Sequence, residues 1–264
     1  MKKYLVIGNP IKHSLSPTLH NYWMKKNNID AIYEKKKLED NDLKDLIIKV
    51  KEGEFSGINV TVPFKKKIIN YLDKLSSESE ITKSVNTISL DGKNVIGYNT
   101  DIDGFELAIK NINFSVLNKK ILILGAGGVV PSIIFSLNKL QAGQITVSNR
   151  TREKAENLRD LFKDINVIDW GEITNFDLII NATSVGLKDG DKIDFNFSKI
   201  NKDKFFYDVI YNPEETNFLK TAKKLGHKVE NGKKMFVYQA AVAFELWHKI
   251  KPEINNDVYS LLND

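Results

Sequence analysis

The sequence predicts an α/β protein of two domains, and three observations carry that reading. Strand-like and helix-like stretches alternate along the whole chain. The alternation restarts near Lys119 with no repeat, low-complexity tract or loose linker before it. In that second block the run Gly125-Ala126-Gly127-Gly128 stands between a short apolar strand and an amphipathic helix.

In the first block Tyr4 to Ile7 reads as a strand that Asn9-Pro10 ends. It is too short to be a signal peptide, although it follows two lysines. Leu15, Leu19, Tyr22 and Trp23 then share a helical face, with Ser16-Pro17 expected as N-cap and first helical residue. Ala31 to Leu38 reads as a strand and Asn41 to Lys51 as a helix. Gly57 to Val62 is a strand stopped by Pro63. Val85 to Leu90 and Asn94 to Tyr98 flank Asp91-Gly92, a hairpin signal. A helix follows Asp101 through Phe105, Ala108 and Ile109.

In the second block Lys120 to Leu124 is the apolar strand before the glycines, and Ile133, Ile134, Leu137 and Leu140 mark the helix after them. Gln144 to Ser148 is a strand and Arg152 to Phe162 a helix. Asn166 to Asp169, Asp177 to Ala182 and Phe205 to Tyr211 are further strands. This outlines a parallel, Rossmann-like dinucleotide-binding domain. Met235 to Ile250 closes the chain as a long helix.

The 264 residues are 42% hydrophobic and 28% charged, the mix of a globular protein with a core of its own. No apolar run approaches the roughly 20 residues of a membrane helix, so no membrane partner is expected. The absence of cysteine excludes disulfides, a thiol nucleophile and a cysteine zinc site, and fits a reducing cytoplasm. His13, His20, His227 and His248 show no metal-ligand spacing, so no metal is expected. The net charge of +5 is spread over lysines interleaved with acids, which reads as a solvated surface and not a nucleic-acid groove.

The glycine run lets backbone N–H groups approach a pyrophosphate at a helix N-terminus. Val130 stands where the usual third glycine would be. The next strand ends in Ser148-Asn149-Arg150-Thr151-Arg152. A cofactor with free ribose hydroxyls usually meets an acid there. Arginine can instead pair with a 2′-phosphate in a forked geometry, so NADP is favoured over NAD.

Other segments carry a resemblance. They are Ser14-Leu15-Ser16-Pro17, Asn59-Val60-Thr61-Val62-Pro63-Phe64-Lys65, Ser84-Val85-Asn86-Thr87, Asn99-Thr100-Asp101, Asp208-Val209-Ile210-Tyr211-Asn212-Pro213 and Gly232-Lys233-Lys234-Met235-Phe236-Val237-Tyr238-Gln239-Ala240. In this order, around a dinucleotide loop, they resemble the shikimate dehydrogenase family from Gly8 to about Trp247.

The resemblance implies reversible NADPH-dependent reduction of 3-dehydroshikimate to shikimate. It implies a substrate-binding and catalytic domain of residues 1–102 plus about 236–264, and an NADP-binding domain of 103–235. Lys65 matches the catalytic position and Asp101 its carboxylate partner. A lysine ammonium can stabilise a developing alkoxide and donate its proton. Ser14, Ser16, Thr61, Asn86, Asp101, Tyr211 and Gln239 match substrate contacts. Cofactor positions are Gly125, Ala126, Gly127, Gly128, Val129, Asn149, Arg150, Thr151, Arg152, Lys154, Ala182, Thr183, Ser184, Val209 and Gly232. Lys154 stands where many relatives carry arginine, a departure for which Arg152 is the candidate compensation.

Each position also has an ordinary structural reading: Ser16 and Asp101 as helix caps, Lys65 as solvated lysine, the remaining polar residues as turns or core edges. A homodimer is compatible with the reading. Two rivals stay open: a quinate/shikimate dehydrogenase of broader substrate or cofactor use, and a non-catalytic NADP-binding redox sensor; a further one, another two-domain dehydrogenase of similar shape such as the methylenetetrahydrofolate type, lacks the Lys65–Asp101 constellation. The first often has an acid at the end of the second strand, where this chain has Asn149-Arg150. The second has no use for Lys65 and Asp101.

Overall fold

A computed structural model describes residues 1–188, 190–193, 195–197 and 200–263. Asp189, Asp194, Ser198 and Lys199, in the stretch assigned to the cofactor domain, and Asp264 lie outside the described residues. The chain forms two units, Met1–Gly104 with Val237–Asp264, and Phe105–Phe236. Each crossing between units lies inside a helix, α4 (Thr100–Lys110) and α8 (Lys233–His248). No helix among the described residues is long and apolar enough to cross a membrane.

The first unit is built on a six-stranded mixed sheet ordered β2-β1-β3-β5-β6-β4. β1 (Lys2–Gly8) lies parallel to both β2 (Ala31–Lys37) and β3 (Gly57–Val60). β5 (Thr87–Asp91) runs antiparallel to β3 and forms the hairpin with β6 (Asn94–Tyr98). The short β4 (Lys74–Leu75) pairs parallel with β6. Side chains alternate across a strand, and β1 is buried on both faces. Leu5 and Ile7 join Leu46, Ile47 and Val50 of α2 (Leu43–Lys51) in one core. Tyr4 points the other way, to the rings of Trp247 and His248 on α8.

Ser16 is not the N-cap of α1. That helix spans Ser16–Lys26, the preceding residue is Leu15, and no side chain caps it in the usual way. Ser16 is already helical, and its own N–H donates to the Ser14 hydroxyl at 3.4 Å.

Also on this second face lies His20, wholly buried and stacked 4.3 Å from Tyr33, with neither ring nitrogen hydrogen-bonded. Burial, helped by His248, holds its pKa down to about 3, and burial with Lys2 nearby holds His248 at about 4. An unfolded histidine titrates near 6.5. As pH falls below about 6.5 the unfolded chain therefore takes up protons that the fold refuses. Stability present above that pH is lost on the way down to about 4 and 3. The melting temperature is expected to fall between about pH 7 and pH 4.5, and less steeply in His20→Phe. Equal slopes in the two proteins would remove His20 from this account.

The second unit contains a parallel sheet ordered β12-β11-β10-β7-β8-β9. From β7 (Lys120–Leu124) the chain steps outward through α5 (Val130–Lys139), β8 (Gln144–Ser148), α6 (Arg152–Glu156) and β9 (Asn166–Ile168). It then returns to the other side of β7 with β10 (Leu178–Asn181), β11 (Phe205–Asp208), α7 (Asn217–Lys224) and β12 (Lys228–Glu230). This is a doubly wound order with its switch point between β7 and β10, where such sheets bind ligands.

Helix Arg152 to Phe162 does not run through. It ends at Glu156 and tightens into a 3₁₀ stretch over Asn157–Asp160. α7 and β12 have no counterpart in the sequence reading, because β12 is three residues with one apolar side chain and α7 is short and lysine-rich. β10 and β11 stop before the expected Ala182 and Tyr211 for one shared reason. Asn181 and Asp208 each accept a hydrogen bond from the backbone N–H two residues on, Thr183 at 3.1 Å and Ile210 at 3.0 Å, which turns the chain out of the sheet.

Candidate active site

The first unit gathers its chemistry at one end of its sheet. Ser14 and Ser16 follow β1, while Thr61 and Lys65 follow the parallel neighbour β3. Asn86 precedes β5 and Asp101 follows β6, both antiparallel to the strand beside them, so their ends reach the same edge. Backbone bonds fix the loops: Val60 N to Asn86 O at 2.8 Å, Asn86 N to Tyr98 O at 3.0 Å, and Val85 N to Lys65 O at 2.9 Å.

Lys65 Nζ donates to Asp101 Oδ2 at 2.5 Å, with the side chains only 13% and 8% exposed. The other carboxylate oxygen accepts from Asn86 Nδ2 at 2.9 Å. Asn86 is itself oriented, because its carbonyl accepts from the Thr100 N–H at 2.8 Å and the Thr87 hydroxyl at 3.0 Å. Its amide also approaches Gln239 Oε1 at 3.4 Å, which joins α8 to the group. The ammonium is thus held by a carboxylate that is held in turn, near the first turn of α4, where a negative charge is favoured. Such a lysine can present a proton to an oxygen at the mouth of the site. Its sequence neighbours differ: Lys66 is exposed, and Lys67 pairs with Asp40 at the surface.

Asn59, Thr87 and Thr100 carry no role in the sequence reading, yet they tie this group together. Asn59 donates to Asn86 O and to the Thr87 hydroxyl, and accepts from the Tyr33 hydroxyl at 2.6 Å. A polar residue in the apolar strand Gly57-Ile58-Asn59-Val60 was the available signal. Tyr211 belongs to the second unit, where its ring stacks on Phe236 with centroids 4.4 Å apart.

In the second unit the glycine loop leaves β7 at the switch point. Gly125 donates its N–H to Ser148 O at 2.8 Å. Its φ is +114°, and a Cβ there would lie 2.8 Å from Ala182 O, so only glycine fits. Ala126 to Val129 then lead into α5 at Val130, with Pro131 in its first turn. Beyond β8 the Asn149 amide donates to Thr151 O at 2.7 Å and shapes the turn that carries Arg150. Arg150 and Lys154 are exposed, and their side chains make no hydrogen bond or ion pair among the described residues. Arg152 is committed elsewhere, to Asp169 at 2.5 Å and Glu156 at 3.2 Å. Two free cations and no acid at the end of β8 fit a 2′-phosphate. Lys154, rather than Arg152, is the free second cation.

Residues 6–88 match the family described as the shikimate dehydrogenase substrate binding domain, and residues 106–190 match the shikimate / quinate 5-dehydrogenase family. A shikimate dehydrogenase (NADP(+)) of Pelagibacter ubique is 57% identical over 262 residues, covering 99% of each chain. The chain belongs to the shikimate dehydrogenase family. Solved structures of the family agree in fold. A shikimate dehydrogenase crystallised with NADP+ superposes with a TM-score of 0.92 at 33% identity, covering 100% of this chain and 94% of that one. The Thermus thermophilus enzyme, in complex with NADP(H) and shikimate, gives 0.89 at 30% identity, with 99% and 97% covered. The α/β architecture expected from the sequence is that of these shikimate dehydrogenases.

Proposed function

We propose that this chain reversibly reduces 3-dehydroshikimate to shikimate, with NADPH as hydride donor. The observation that carries the reading is the Lys65–Asp101 pair, buried and braced by Asn86 at the strand ends of the first unit. The cofactor, when bound, supplies or accepts the hydride at the ring carbon bearing the reacting oxygen.

The chain's own residues do the rest. Lys65 Nζ stabilises the alkoxide that develops on the ketone oxygen and delivers its proton, and in the reverse direction it takes that proton back. Asp101 orients the ammonium and accepts from a ring hydroxyl. Asn86, Thr61, Tyr211 and Gln239 contact the remaining ring oxygens, and Ser14 and Ser16 the carboxylate. A site built on hydroxyl contacts rejects analogues that lack them, because its buried polar groups stay unpaired. Residues 1–102 with about 236–264 serve substrate binding and catalysis, and 103–235 hold NADP. There Gly125 to Val129 take the pyrophosphate and Asn149 to Thr151 with Lys154 the adenosine 2′-phosphate. Ala182 to Ser184 line the cofactor path, and Val209 and Gly232 stand near the nicotinamide end.

Loss of NADPH absorbance on adding 3-dehydroshikimate tests the reading directly, with NADPH against NADH and shikimate against quinate as paired arms. Turnover with NADPH and 3-dehydroshikimate, well above turnover of the other pairs, is expected. Nucleotide binding without turnover of either cyclic acid would point to a sensor. Equal use of quinate would point to the broader dehydrogenase.

A further inference from the structure

We propose that Asp208 and Asn181 form a buried brace that sets the nicotinamide half of the cofactor site, which makes Asp208 a positioning residue for hydride transfer. This rests on the NADP-dependent reading above.

The sheet order supplies the location. The glycine loop ends β7, and the Arg150 turn ends β8 on one side of it. A dinucleotide with its pyrophosphate over β7 and its adenosine over β8 must lay its other half across the ends of β10 and β11. Those strands end at Asn181 and Asp208, both completely buried.

The two side chains are bonded to each other, and each holds the loop that follows its strand. Asp208 accepts from Asn181 Nδ2 at 3.0 Å, from Ile210 N at 3.0 Å and from the Thr216 hydroxyl at 2.7 Å. Asn181 Oδ1 accepts from the N–H and the hydroxyl of Thr183, at 3.1 and 2.7 Å. The Thr183 hydroxyl in turn accepts from Val185 N, and Asn181 Nδ2 also donates to Val185 O. A carboxylate only accepts, so it obliges Asn181 to turn its NH₂ toward Asp208 and its carbonyl toward Thr183. Polarity set at Asp208 is passed in this way to the loop over 182–184.

The Val209 peptide is pinned at the same point. Its N–H donates to Asn181 O at 3.0 Å. Gly232 N donates to Ile210 O at 3.0 Å, and a Cβ on Gly232 would stand 2.1 Å from Val209 O. The backbone of residue 232 therefore lies against that carbonyl. Burial raises the Asp208 carboxyl to about 6 despite three donors that oppose the rise. A buried acid kept at that cost in the middle of two loop turns has a positional task. The Lys65 pair, by contrast, handles the proton.

The test compares two ligands on the intact protein by titration calorimetry. NADP+ spans the whole site. Adenosine 2′,5′-bisphosphate reaches the Arg150 turn and, through its 5′-phosphate, the glycine loop after β7, but carries nothing that extends across the ends of β10 and β11. Asp208→Asn keeps the shape but replaces one acceptor oxygen with an NH₂, which faces either the Asn181 and Ile210 donors or the Thr216 hydroxyl, and removes the charge. It is expected to weaken NADP+ by about tenfold, the worth of one charge-assisted hydrogen bond, and to leave the bisphosphate within about twofold, below the worth of one such bond. It should also lower kcat while the KM for shikimate stays near wild type. Thr216→Val is expected to act in the same direction and Thr216→Ser to restore binding, which keeps the test available if Asp208→Asn does not fold. Equal losses for both ligands, or wild-type NADP+ affinity in folded Asp208→Asn and Thr216→Val, would overturn the brace. A wild-type protein that binds neither ligand would instead overturn the NADP reading on which it rests.

Discussion

Lys65→Ala is expected to lower kcat by roughly 10²–10⁴-fold, the range for loss of a positioned general acid–base. The KM for shikimate should move far less, because the ammonium acts mainly on charge that develops in the transition state. The geometry behind this is the 2.5 Å contact with Asp101 in a largely buried setting. Removing the lysine leaves that carboxylate without its cation, so the fold of the variant is to be checked by circular dichroism before rates are compared. Lys66→Ala and Lys67→Ala are the controls. Lys66 is exposed and Lys67 pairs with Asp40 at the surface, where an ion pair contributes little. Both should turn over almost as the wild type. Near-normal kcat in folded Lys65→Ala would end its assignment as the proton donor.

Arg150→Ala should cost NADPH efficiency about 10- to 100-fold, since a charge-assisted bond to phosphate contributes ~1.5–3 kcal/mol and 1.4 kcal/mol is a factor of ten. NADH lacks the phosphate, so its kcat/KM should hardly change. The neighbours are ranked by their partners. Lys154 has a side chain free to meet the same phosphate, so Lys154→Ala should give a smaller loss in the same direction. Arg152 spends its guanidinium on Asp169 and Glu156, so Arg152→Ala should discriminate least between the cofactors. Measuring kcat/KM with NADPH and NADH across the three variants checks the order. Equal losses with both cofactors in Arg150→Ala would show that Arg150 does not read the phosphate.

Much of this protein was legible in the sequence. Short apolar runs bounded by turn residues located β1, β3 and the β5–β6 hairpin, and the Gly125-Ala126-Gly127-Gly128 run marked the strand–loop–helix turn at the switch point. These features are local: apolar runs, turn residues and glycine backbone freedom all act within a few positions of one another. The family was legible too, through short motifs in a fixed order along nearly the whole chain.

What the tertiary structure decided is which polar atoms meet. Ser16 looked like a helix cap, and only the backbone shows that it is already inside the helix with Ser14 behind it. The second charge near β8 stayed open between Arg152 and Lys154, until Asp169, distant in sequence, claimed Arg152. The same holds for Asn59, Asn181, Asp208 and Thr216, which lie in or beside short apolar strands and have no local pattern that separates a support from an ordinary turn. A buried hydrogen bond depends on a partner brought in from elsewhere in the chain. Periodicity tells which face of a strand is buried, but the pairing of donors and acceptors exists only once the strand ends have been set side by side.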